Sequence, residues 1–187
     1  MGAETLYIIG NGFDIYHGIH SKYSDFREYV SSENSELFDL LEKYFPLDEK
    51  WSDFEEVLAE LDVDYFKENS RKYLVPYGAE DWSDSNHHDY QNYIEECLEL
   101  LSINLKEILN EWVVNLTIPN FSTKKKLNLI TNSLFLNFNY TKTLENVYKI
   151  NENNIKYIHN KAINKNSELI LGHSRIPKQK KSVFKKK

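Results

Sequence analysis

Four short stretches of this 187-residue chain carry residue types that can do chemistry. The first is "GNGFD", Gly10 to Asp14, directly after an apolar run; with Gly18 it holds half of the chain's six glycines. A backbone without Cβ lets N–H groups come close to a phosphate, and the start of a following helix adds partial positive charge. The second is "NYT", Asn139 to Thr141, the third is His159, and the fourth is Gly172-His173-Ser174. A neutral amide at Asn139 suits the positioning of a water or hydroxyl. An imidazole titrating near neutrality suits a general base at His159.

Each feature also has a plainer reading. Five residues separate Gly12 from Gly18, so the loop fails the strict dinucleotide fingerprint, and no Walker lysine follows. It equally fits a tight strand-to-helix turn, with Asp14 capping the next helix. His159 could be a core histidine bonded to a carbonyl, and Asn139 could cap a helix starting at Thr141. Glu55, in "WSDFEEVL", reads either as a solvated helix face or as a site rim. His87, His88 and Asp89 are adjacent and lack a fourth partner, so they read as a polar loop rather than a metal site.

The elements that must position these residues follow from periodicity. "TLYIIG", Thr5 to Gly10, is an apolar run stopped by glycine, a buried strand. Tyr23 to Phe45 is helical, with a break near Ser31-Ser32, and ends before Pro46. Trp51, Phe54, Leu58 and Leu61 have helical spacing. "VPYGAEDWSDSNHHD" reads as a loop. Tyr90, Ile94, Cys97, Leu98, Leu101, Leu105, Ile108, Leu109, Trp112 and Leu116 share one face of a helix of roughly 40 Å, with Leu100 and Ile103 off that face. "SLFLNFNYT" is strand-like and turns into a helix at "TKTLENVYKI"; "NIKYIH" and "ELILGH" are further strands. Strands at both ends around a helical block predict α/β architecture. In open α/β sheets ligands bind outside the carboxyl ends of the strands. Gly10–Asp14, Asn139–Thr141, His159 and His173 all fall there, so four segments should deliver polar side chains to one rim.

Composition narrows the class. The hydrophobic fraction of 41% and aromatic fraction of 14% fit a globular chain that buries a core. Cys97 is the lone cysteine, which excludes a disulfide framework and a thiolate zinc site. No apolar run approaches a membrane span, and the N-terminus lacks the basic region of a signal peptide, so a cytoplasmic location and no membrane partner are expected. The net charge is −6, yet the last ten residues hold six lysines and no acid, leaving the preceding residues at about −12. An acidic body argues against nucleic acid as a partner. No carboxylate cluster with metal spacing supports a nuclease.

The stretches "LYIIGNGFDIYHGI…YSDF", "W-x-D-F-E" from Trp51 to Glu55, "LFLNFNYTKTLE", "IKYIH" and "LILGH", in this order, resemble the AbiH proteins of bacterial abortive-infection phage defence. AbiH-type sequences are in turn similar to sirtuin-like NAD-binding domains of antiphage systems. The resemblance covers most of residues 5–174. "GNG" stands for that superfamily's glycine loop and "HGI", His17 to Ile19, for its "GIP"; Asn139 takes the central Asn, His159 the His, and Gly172-His173-Ser174 the last motif. Asn160 replaces the Gly of "HG", Thr141 replaces an Asp, and the zinc-binding cysteines of deacylating sirtuins are absent.

The resemblance implies a sirtuin-like, Rossmann-type, mostly parallel sheet with a large helical insertion between the first strand and the later strands. Residues 1–22 would give the first strand and glycine loop, 23–122 the insertion, 123–174 the remaining strands and helix, and 175–187 a basic, disordered tail. It implies hydrolysis of NAD to nicotinamide and ADP-ribose, with Asn139 and His159 catalytic and with Gly10, Asn11, Gly12, Phe13, Asp14, Tyr140, Thr141, Gly172 and Ser174 holding the nucleotide. No metal is expected. The alternative is a non-catalytic nucleotide-binding sensor or scaffold that acts by oligomerising. AbiH-like chains normally run on further, so the resemblance implies a C-terminally shortened chain. An uncovered sheet edge, self-association or low stability, and at best weak activity are then expected.

Overall fold

A computed structural model describes residues 5–74, 84–119 and 126–172, the first four residues of the middle segment by backbone alone. Three short apolar runs form strands: β1 (Leu6–Ile9), β2 (Leu134–Asn137) and β3 (Ile155–Tyr157). They pair in the order β1-β2-β3, all parallel, with Leu6 opposite Leu134, Ile9 opposite Asn137 and Asn137 opposite Tyr157. The fold is therefore mixed α/β, as the alternation of strand and helix signals predicts. Glu168–Leu171 corrects one expectation, because it forms no strand. It runs beside His159 instead, tied by a single backbone bond from Ile170 N to His159 O (2.9 Å).

Side chains alternate across the sheet. Ile9 and Phe135 point into a small core with Leu144 and Ile150, and Tyr7 stacks on Phe135 at 5.1 Å. On the opposite face Leu6, Ile8 and Leu134 are exposed, Ile8 by 70%. Parallel sheets are usually covered on both faces, so this bare apolar face is unusual. After β1 comes α1 (Asn11–Tyr16), and after β2 comes α8 (Thr143–Tyr148).

The block between them comprises α2 (Tyr23–Glu33), α3 (Ser35–Tyr44), α4 (Phe54–Val57), α5 (Val63–Ser70), α6 (Asp84–Glu99) and α7 (Leu105–Asn115). The break in the first long helical stretch falls at Asn34, not at the serine pair. Asn34 leaves helical dihedrals and its Oδ1 accepts from Leu37 N at 2.9 Å, capping α3. His87, His88 and Asp89, predicted to lie in a loop, are helical in α6. The long helix is interrupted by a π-turn at Leu100–Asn104. Its extra residue rotates the buried face: Leu100 is buried, whereas Leu98 is exposed. This block has its own, larger core, centred on Phe26, Leu41, Trp51, Phe54, Leu109 and Trp112. Among the described residues no helix is long and apolar enough to cross a membrane.

Candidate functional site

A cleft of about 330 Å³ opens where the carboxyl ends of the strands meet the helical block. One wall comes from the sheet: Asn11, Asp14, Phe138, Asn139, Tyr140, Thr141 and His159. The other comes from the helices and the turn before α4: Tyr23, Ser52–Glu56, Trp112, Val113 and Leu116.

The sheet wall is tied together across distant sequence. Asp14 is 1% exposed; its Oδ2 accepts from Thr141 Oγ1 at 2.5 Å and its Oδ1 from Thr143 Oγ1 at 2.7 Å. The carboxylate thus joins the glycine loop to the start of α8 instead of capping the helix after its own. Burial pushes its pKa up, while the two threonine hydroxyls, His17 and Asn139 resist that rise. Asn139 donates from Nδ2 to Gly10 O at 3.1 Å, and its own N–H donates to Asn137 Oδ1 at 3.0 Å. The cap of α8 is Lys142, so Asn139 is not the helix cap that its sequence context allows. Asn11 is fixed by reciprocal bonds with Ser21: Nδ2 to Ser21 O at 2.9 Å and Ser21 Oγ to Oδ1 at 2.6 Å.

Of the three clustered glycines, only Gly18 needs glycine for its backbone, at φ 70°. A Cβ at Gly10 or Gly12 would meet nothing within 4 Å. Neither packing nor φ demands glycine there; the space in front of the loop is open. Helix α1 is only six residues long, so its dipole is small.

His159 follows β3, its ring 6.0 Å from that of Phe138 and 5.8 Å from that of Tyr140. Its Nδ1 lies 3.2 Å from Ile170 O. A carbonyl only accepts, so Nδ1 carries the proton and, in the neutral ring, Nε2 keeps the lone pair. Asn160 next to it has φ 62° and donates from Nδ2 to Glu168 O at 2.7 Å. Asn tolerates the left-handed region better than other non-glycine residues, so it suits this backbone.

The helix wall centres on Glu55. Tyr23 O–H donates to Glu55 Oε1, and Tyr140 O–H lies 3.2 Å from that same oxygen and 3.2 Å from Ile170 O. Burial and the Glu55 charge raise both phenol pKa values far above the usual range, so both remain proton donors. Trp51, just before this turn, takes φ 52° although it is bulky and fully buried. Such a conformation persists only where the surroundings impose it. Here Trp51 stacks on Phe54 at 4.9 Å and donates from Nε1 to Glu42 Oε1 at 3.0 Å.

The cleft thus brings together Asn11, Asp14, Asn139, Tyr140, Thr141 and His159, spread over about 150 positions of sequence. Gly10 supports Asn139 from behind, and Gly12 lies in the first turn of α1. Phe13 does not line the cleft: its ring packs on His17 at 4.4 Å and Tyr148 at 5.6 Å in the smaller core. Gly172 is not among the lining residues either, and Ser174 lies outside the described residues. Sequence reasoning missed Tyr23 and left Glu55 between two readings. Their signal was present in "YSDF" and "W-x-D-F-E". Among the described residues no lysine or arginine lines the cleft, and no three His, Cys, Asp or Glu side chains are grouped as a metal site requires.

A family model described as Bacteriophage abortive infection AbiH matches residues 6–186, nearly the whole chain. No curated protein and no solved structure matches it.

Proposed function

We propose, from the premise that the chain belongs to the AbiH family, whose description suggests an antiphage abortive-infection role, that its cleft hydrolyses NAD or a related nucleotide to nicotinamide and ADP-ribose. The observation that carries this reading is the convergence of Asn139 and His159 in one cleft beside an open glycine loop.

Breaking the nicotinamide–ribose bond makes C1′ cationic while nicotinamide leaves. His159, with Nδ1–H committed to Ile170 O, offers Nε2 to take a proton from the attacking water or a ribose hydroxyl. Asn139, held by Gly10 O, presents a neutral amide that orients the sugar. With no lysine or arginine among the described lining residues, the diphosphate falls to the open loop at Gly10–Gly12, where backbone amides and Asn11 would meet it.

The test is incubation of the chain with NAD and chromatography for nicotinamide. His159→Ala should lower release by about 100-fold with an unchanged melting temperature. No release by the unaltered chain would overturn the reading. A second reading, an oligomerising nucleotide sensor, is favoured by the bare sheet face of Leu6, Ile8 and Leu134. Sedimentation that finds only a monomer, with and without NAD, would remove it.

A further inference from the structure

We infer that Glu55 is the carboxylate that receives the cationic sugar–base end of the ligand, with Tyr23 and Tyr140 as the residues that position it. The inference deepens the reading above and rests on it for the identity of the nucleotide. Two carboxylates matter on opposite walls, and they are in different states. Asp14 is buried and both its oxygens are taken by Thr141 and Thr143. Glu55 uses Oε1 for the two tyrosines, and no described residue bonds Oε2, which remains for a ligand in the cleft.

The charge of the lining has a chemical consequence. Asp53 and Glu55 line the helix wall, and among the described residues no lysine or arginine lines the cleft to offset them. Such a wall repels a phosphate and attracts a cation. An oxidised nicotinamide riboside unit is a cation at its pyridinium ring, and during cleavage the positive charge moves to C1′. As water bonds to C1′, the C1′–N bond breaks and its electron pair neutralises the ring nitrogen. Nicotinamide therefore leaves neutral and needs no acid, while the water's proton goes to His159. A fixed carboxylate near C1′ stabilises the charge throughout. Glu55 is fixed: two hydroxyls hold one oxygen, and the neighbouring Phe54 is fully buried and stacked on Trp51. The Tyr140 hydroxyl, whose single proton is shared between Glu55 Oε1 and Ile170 O, the carbonyl that holds His159, sits between the charge-bearing and proton-taking groups.

The experiment is a calorimetric titration of the full chain with nicotinamide riboside, a cation without phosphate, and with its neutral dihydro form of nearly the same shape. The unaltered chain should bind the cation at least about tenfold more tightly. Glu55→Gln should bring the two affinities to parity, and Tyr23→Phe, which leaves the carboxylate but removes one of its donors, should narrow the difference only in part. Equal affinity of the unaltered chain for both ribosides, binding of neither, or a preference that survives in Glu55→Gln would overturn the inference. The comparison on the unaltered chain stands even if a variant fails to fold. Nicotinamide release from NAD is scored separately. Cation preference without release overturns the hydrolase reading and keeps the role of Glu55; release at an unchanged rate in Glu55→Gln does the reverse.

Discussion

The sheet-side wall of the cleft offers amides, hydroxyls, one imidazole and a buried carboxylate already saturated by threonines, whereas the helix-side wall offers carboxylates and the phenol of Tyr23. The sheet wall stands on a small core of Ile9, Phe135, Leu144 and Ile150, with a bare face behind it. The helix wall stands on a large aromatic core that includes Phe26, Trp51, Phe54 and Trp112. The sheet side is therefore held by polar bonds between distant segments, and the helix side by packing. Two kinds of perturbation should separate them.

The largest effect is expected on the packed side. Trp51→Ala removes a fully buried ring and its stack on Phe54, and should cost about 3–5 kcal/mol in urea denaturation. A cost below about 1 kcal/mol would mean that the aromatic core does not hold this wall.

Next comes the polar side. Asp14→Ala deprives two buried threonine hydroxyls of their acceptor and should cost about 1–3 kcal/mol. Asp14→Asn sharpens the comparison through pH. The folded protein binds the Asp14 proton more tightly than the unfolded chain, because burial raises its pKa above the ordinary 3.8. The stability this proton contributes is therefore complete below the ordinary value and is lost as pH rises through the raised one. Relative to Asp14→Asn, the wild type should gain stability on acidification across that window. Denaturation midpoints of the two proteins at paired pH values measure this, and a difference that stays constant would break the assignment.

The smallest effect concerns the turn after His159. Asn160→Ala loses the bond to Glu168 O and forces alanine into φ 62°, for about 1–2 kcal/mol. Asn160→Gly loses the same bond but relieves the backbone, and should be close to neutral. Equal losses in thermal melts would show that the side-chain bond, not the left-handed backbone, sets the residue there.

Much of the sheet wall was legible in the sequence. Apolar runs stopped by glycine or polar residues marked β1, β2 and β3, and polar residues just past a parallel strand gather at one rim for topological reasons. The helix wall was less legible for a physical reason. On an amphipathic helix a glutamate is most often solvated, so Glu55 looks like surface until Tyr23, 32 residues away, and Tyr140, 85 residues away, are seen to hold it. The π-turn at Leu100–Asn104 was hidden in the same way: one inserted residue changes the buried face without breaking the apolar periodicity on either side.

By itself, then, the sequence determined what local physics decides: strands from short apolar runs, helices from their period, and the family from "GNGFD" and "NFNYT" in order. The tertiary structure alone decided the pairings made across long separations. It turned Asp14 from a local cap into a bridge to Thr141 and Thr143, 127 and 129 residues away. It took Phe13 out of the cleft and into the smaller core, and it left Leu169–Leu171 beside the sheet rather than in it. A side chain's type and local spacing say which bonds it can make; which distant partner comes within reach depends on how the chain packs.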